Sequence, residues 1–193
     1  MKAAMMKNNR FSPKALILAG IACMALPATA ADAPNAVVRL ANAMAAAANA
    51  EASGNKKALA NAVRIIDASG SHPIEASEHD PLPTWRSAAA GIGSPPYRGR
   101  PLGPGYRSGT IDQGGHDSFS QLFLSGNSAT IALSAPTGDR LALRVLDPQS
   151  KSICEDGTGR GGLCKWVPLF TQRYTIEVAN IGKGDARYFL VVQ

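Results

Sequence analysis

The segment RYTIEVAN at residues 173–180 alternates Tyr174, Ile176 and Val178 with Thr175 and Glu177. A period of two puts the two sets on opposite faces of a strand, one for a core and one for water. The turn residues Gly182, Lys183, Gly184 and Asp185 follow, and ARYFLVV at 186–192 continues with Tyr188, Leu190 and Val192 in the same phase. Working back from there, Leu141, Leu143 and Val145 repeat the pattern. Ala129, Ile131 and Leu133 alternate with Thr130 and Ala132, and Phe119 opens an apolar run to Leu124. The turn signals Ser125-Gly126-Asn127, Pro136-Thr137-Gly138-Asp139 and Asp147-Pro148 separate these runs. Roughly six to eight short strands with regularly spaced turns predict an antiparallel β-sandwich over residues 109–193.

The period changes upstream. Val37, Leu40, Ala41, Met44 and Ala48 recur at three- and four-residue intervals, the mark of an amphipathic helix. Ser53-Gly54 interrupts the pattern, and Asn55 is placed to cap a second helix carrying Leu59, Ala62, Val63 and Ile66. The region 35–90 is therefore read as an antiparallel helical hairpin, followed by a short helix around Trp85. Alanine makes the apolar face shallow, so the hairpin needs a surface to pack on, either the C-terminal unit or a partner. Residues 91–108 are Gly/Pro-rich and read as a linker.

The chain has 193 residues and a formal net charge of +6. Lys2, Lys7, Arg10 and Lys14 precede an apolar run from Ala15 to Leu26, then Pro27 and Ala28-Thr29-Ala30. This is the order of a secretory signal peptide, with cleavage expected after Ala30 and residues 1–30 removed. Cys23 leaves open a lipoprotein alternative. The segment holds four of the 20 basic residues and none of the acidic ones, leaving 16 against 14, or +2. That disfavours a nucleic-acid partner. No later run is long enough to span a membrane, so a periplasmic or secreted protein without an integral span is expected. The residual positive charge gathers in Arg86, Arg98, Arg100 and Arg107, interleaved with Tyr97 and Tyr106.

Cys154 and Cys164 remain after cleavage. In an exported chain the pair reads as one disulfide closing a glycine-rich loop, the alternative being a metal pair. Two thiolates without a nearby His fit zinc poorly.

The succession GGHDSFSQLFLSG (114–126), GDRLALRVLDPQS (138–150), RYTIEVAN (173–180) and ARYFLVV (186–192) resembles the bacterial pre-peptidase C-terminal domain. Asp117, Phe119, Leu143, Asp147, Pro148, Tyr174 and Tyr188 occupy that family's pattern positions. The resemblance covers about residues 109–193 and implies a jelly-roll-like sandwich accompanying exported enzymes. Collagen or calcium ligands of some relatives find no counterparts here, and the Cys154–Cys164 loop departs from the pattern.

His116-Asp117-Ser118 is no catalytic triad, because neighbours on a strand point to opposite faces. His72, Glu75, Glu78, His79 and Asp80 lack a metal-site spacing and read as a solvated loop. No nucleophile elbow, zinc-helix or phosphate-loop motif occurs. No cofactor, metal or catalytic residue is expected. The leading reading is a non-catalytic exported binding or accessory protein that recognises an envelope or secreted protein or a glycan. Its candidate contact residues are Tyr97, Arg98, Arg160, Lys165 and Trp166, with core packing as the alternative for Trp166. The second reading is an envelope protein binding an anionic surface polymer through Tyr97, Arg98, Arg100, Tyr106 and Arg107. An enzyme built on Asp112, Asp117 and Asp156 is the third.

Overall fold

The computed structural model describes residues 33–75, 80–89, 103–136, 139–159 and 161–193. The expected signal peptide, Glu78, His79, Tyr97, Arg98, Arg100 and Arg160 lie outside them. Helix α1 (Ala33–Ala52) and helix α2 (Lys56–Ala68) form the hairpin. Gly54, at φ 66°, takes the left-handed conformation that ends a helix. The side chain of Asn55 then caps α2 by accepting the Ala58 N–H at 3.0 Å. The short strand β1 (His72–Pro73) and helix α3 (Leu82–Ala88) complete the N-terminal part.

Eight strands build the sandwich: β2 (Gly105–Ile111), β3 (His116–Phe123), β4 (Ala129–Ser134), β5 (Leu141–Leu146), β6 (Ser152–Gly159), β7 (Gly161–Trp166), β8 (Gln172–Asn180) and β9 (Ala186–Val192). One sheet runs β1-β2-β9-β4-β7 and the other β3-β8-β5-β6. The antiparallel partners are β2 with β9, β3 with β8, β4 with β7 and β5 with β6. First pairs with last and each successive pair nests inside it, which is the jelly-roll topology. The sequence expectation of a mainly β, jelly-roll-like sandwich with a helical appendage is met.

Two differences concern residues 91–108. Their last four residues are not linker but the first half of β2, paired from Gly105↔Val192 to Ser108↔Phe189. The sandwich therefore begins upstream of residue 109, and β1 extends its sheet by pairing in parallel with β2.

The core has two layers. Between the sheets lie Ile131, Leu141, Leu143, Ile176, Tyr188 and Leu190, each at most 1% exposed. On the outer side of the five-stranded sheet, Tyr106, Ala132, Phe189 and Val191 pack against Val37, Leu40, Met44, Val63, Ile66 and Trp85. The hairpin thus docks on the sandwich. Small alanines on α1 allow close approach, and polar ties fix its place. Ser134 Oγ donates to Asn42 Oδ1 at 2.9 Å, and Arg187 pairs with Glu51 at 3.4 Å. Trp85 is fully buried with its ring 5.8 Å from that of Phe189, and Arg86 Nε donates to Asp67 at 3.0 Å.

No helix of the described residues is long and apolar enough to cross a membrane. Cys154 and Cys164 are joined as a disulfide, a bond that persists in oxidising compartments. Both facts are compatible with a periplasmic or extracellular protein.

Candidate functional site

One face of the sandwich is closed. The helices cover the outer side of the five-stranded sheet, while the outer side of β3-β8-β5-β6 faces solvent. Alternation decides what stands there. In β8, Tyr174, Ile176 and Val178 turn inward, so Arg173, Thr175, Glu177 and Ala179 turn out. β3 adds His116, Ser118 and Ser120, and β5 adds Ala142 and Arg144. Arg144 is the hub, pairing with Glu155 at 3.2 Å and Glu177 at 3.7 Å. The Glu155 hydrogen bond, and then its charge, raise the Arg144 pKa further above the ordinary guanidinium value. Gly114, Gly115, His116, Arg144, Glu155 and Glu177 line a shallow cleft of about 350 Å³ at one end of this face.

The edge of both sheets is joined by the disulfide, from Cys154 on β6 to the fully buried Cys164 on β7. Alternation along β7 then turns Lys165 out to solvent and Trp166 inward. The Trp166 ring packs 4.9 Å from Phe123 and 5.4 Å from Tyr174, so most of it serves the core rather than a ligand. Of the contact residues read from sequence, Lys165 is exposed beside this cluster, whereas Tyr97, Arg98, Arg100 and Arg160 lie outside the described residues.

Tyr106 and Arg107 belong to β2, not to a free segment. Tyr106 is 2% exposed, and its hydroxyl donates to Asp80 at 2.9 Å. Arg107 reaches Glu75 at 2.7 Å and Asp117 at 3.2 Å, donates Nε–H to the Tyr188 hydroxyl at 3.1 Å, and lies over the Phe119 ring. The Tyr188 hydroxyl in turn donates to the Asp117 carboxylate. Asp117 and Tyr188, 71 residues apart and both positions of the resemblance, thus meet across the two sheets. Gly109 makes room for this: a Cβ there would fall 2.7 Å from the Tyr188 ring. Burial, and then the bond to Asp117, push the Tyr188 phenol well above its ordinary pKa. Burial works against the Arg107 charge, but the hydrogen bond to Tyr188 and then the charge and hydrogen bond of Asp117 outweigh it and raise its pKa. Both groups keep their protons, so the constellation is a structural rivet. His116 and Ser118 point away from Asp117, as strand geometry demands. Asp156 accepts the Leu163 N–H at 2.9 Å, a service to the disulfide loop.

At the end of the sandwich where β3, β5 and β7 finish, a second surface stands out. Val167 is 56% exposed, Leu169 81% and Phe170 69%, with Leu124 at 53% and Leu122 at 46%. Gly126 N–H donates to Pro168 O at 2.9 Å. Ser125 donates twice, N–H to Thr171 Oγ1 at 3.0 Å and Oγ to Leu169 O at 2.7 Å. The two loops are thereby laced into one apolar tip. The sequence reading missed both the Arg144 face and this tip. The signals were present: outward charges in phase on β5 and β8, and PLF at 168–170 breaking the polar rule for turns.

No protein-family model and no curated protein matches the chain. Among solved structures, the chain is similar to the pre-peptidase C-terminal domain of a collagenase from Bacillus anthracis, at 17% identity and a TM-score of 0.41. That similarity covers 47% of this chain and 89% of the other. A periplasmic inhibitor of g-type lysozyme from Aeromonas hydrophila is similar at 16% identity and a TM-score of 0.37, covering 47% of this chain and 84% of that one. The Yersinia pseudotuberculosis-derived mitogen is similar at 12% and 0.40, again over 47% and 84%.

Proposed function

We propose that this chain is an exported, non-catalytic binding or accessory protein whose β-sandwich recognises an envelope or secreted protein or a glycan. One observation carries the reading. The helices are spent in sealing one sheet, and the other sheet presents a broad polar face organised around Arg144, Glu155 and Glu177. Such a face suits a partner that is itself polar, recognised by hydrogen bonds with little apolar burial. Export is supported by the order of charged, apolar and small residues in the first thirty positions and by the disulfide. Tyr106 and Arg107 are already engaged within the fold, which weakens the anionic-polymer reading through that segment.

The test is occlusion of the face. Ser120 and Thr175 are register partners on its surface. Replacing them as Ser120→Arg/Thr175→Arg should abolish retention of the partner from envelope extracts, or of the protein on purified cell-wall glycan, while leaving the thermal melt unchanged. Equal retention by both proteins would sink the reading.

A further inference from the structure

We propose that the Leu169–Phe170 tip is a second contact site, separate from the polar face, that attaches the protein reversibly to an anionic lipid surface.

Three features of the tip point to lipid. First, its apolar side chains stand clear of the fold, with Leu169 at 81% exposure and Phe170 at 69%. Leaving such a group in water is unfavourable, and a contiguous set of them marks an interaction site. Second, two of the tip's carbonyls are already satisfied within the fold. The carbonyls of Pro168 and Leu169 accept from Gly126 N–H and Ser125 Oγ, and Ser125 N–H is held by Thr171. Pro168 has no N–H to satisfy. Entry into a headgroup boundary therefore need not strip water from those carbonyls. Third, the surrounding charge is predominantly positive. Lys165 and Arg173 flank the tip in sequence, both are exposed, and among the described residues neither has an ion-pair partner. The register Leu146↔Thr175 places the β5–β6 turn at the same end, adding Lys151. In the three loops 124–128, 147–151 and 167–171 the one acid is Asp147. Its carboxylate faces its own turn, accepting the N–H groups of Gln149 and Lys151 at 2.9 Å.

A few apolar side chains with a basic collar are the two signals that together give weak, reversible attachment to anionic bilayers, where either alone gives little. A protein recess fits less well. Leu169 and Phe170 are the most exposed large apolar side chains of the described residues and have basic residues on either side in sequence, and a bilayer adapts to such a patch where a recess must match it.

The experiment compares the full chain with Leu169→Ser/Phe170→Ser and with Lys151→Gln/Lys165→Gln, which leave the polar face unaltered, so that the N-terminal segment is common to all three. Vesicles of phosphatidylglycerol mixed with phosphatidylcholine are titrated, with phosphatidylcholine alone as control. The tip variant should bind the anionic vesicles about tenfold or more weakly, and the charge variant severalfold more weakly with a reduced salt dependence. A Phe170→Trp variant should show blue-shifted emission, quenched by brominated lipid, beyond that of the native tryptophans. Equal vesicle binding by wild type and the tip variant overturns the proposal. So does an emission from the Phe170→Trp variant that ignores vesicles, and so does photocrosslinking from position 170 to a protein in envelope extracts with no lipid adduct. Failure of these assays leaves retention through the polar face untouched, so the two readings fall separately.

Discussion

Removing the Tyr188 hydroxyl as Tyr188→Phe tests whether the two sheets are riveted as described. The phenol is 1% exposed and makes two charged hydrogen bonds, donating to Asp117 and accepting from Arg107 at 3.1 Å. Hydrogen bonds to charged groups contribute about 1.5–3 kcal/mol each. The Arg107–Asp117 pair survives at 3.2 Å, and both side chains reach water, at 24% and 31% exposure, so part of the loss is repaired. A net cost of about 2 kcal/mol is expected in urea unfolding at neutral pH. The pH dependence supplies a second readout. The unfolded phenol titrates near pH 10, whereas the folded one is held protonated well above that. Above about pH 10 the unfolded state binds fewer protons than the native state, so stability falls as pH rises, by up to about 1.4 kcal/mol per unit from this one group. The phenylalanine variant lacks that group. Its deficit against wild type should therefore shrink above pH 10 and nearly vanish about one and a half units higher. Other tyrosines and lysines titrate in both proteins and cancel in the difference. A deficit below about 0.5 kcal/mol at neutral pH, or one constant through the alkaline range, would refute the rivet.

Two further outcomes follow from the packing. Cys154→Ala/Cys164→Ala opens a loop of sequence separation 10, for which the chain-entropy model gives about 2.8 kcal/mol, or about 6–11 °C in Tm for a chain of this size. Melts with and without reductant check this, and coincident melts of oxidised and reduced protein would contradict it. Trp85→Ala empties the fully buried ring site between α3 and Phe189 and should cost about 3–5 kcal/mol in urea unfolding, a cost under about 1.5 kcal/mol showing that the helical layer contributes little.

The sandwich was legible because its inner faces are written at period two with turn residues between, and nothing in the tertiary structure overrides that signal in β5 or β8. The helices were equally plain, down to the Asn55 cap. The beginning of β2 was not. Gly103, Pro104 and Gly105 read as linker, yet Gly103 N–H donates to Gly70 O and His72 N–H to Pro104 O. Glycine is required in that close approach, since a Cβ on Gly103 would lie 2.3 Å from Ser69 O. A composition that marks flexibility in one context marks backbone-to-backbone packing in another, and only the distant partner distinguishes them. The same ambiguity hid the role of Tyr106 and Arg107, whose partners Asp80, Asp117 and Tyr188 come from elsewhere in the chain.

One further signal lay in the strands that do not alternate. β4 is buried at every position, and β9 at all but Arg187. A strand that is apolar on both faces needs cover on both. One side of β9, with Tyr188, Leu190 and Val192, faces the opposing sheet, so Phe189 and Val191 demand a second layer. The shallow, alanine-rich face of α1 is the complementary demand, since a helix that cannot bury enough surface alone needs a flat apolar floor. Each defect answers the other, and together they fix which sheet is sealed. β5 and β8 carry Arg144 and Glu177 on their outer sides and cannot accept the helices without burying charge. The polar face is therefore left open by the same packing rule that closes the other.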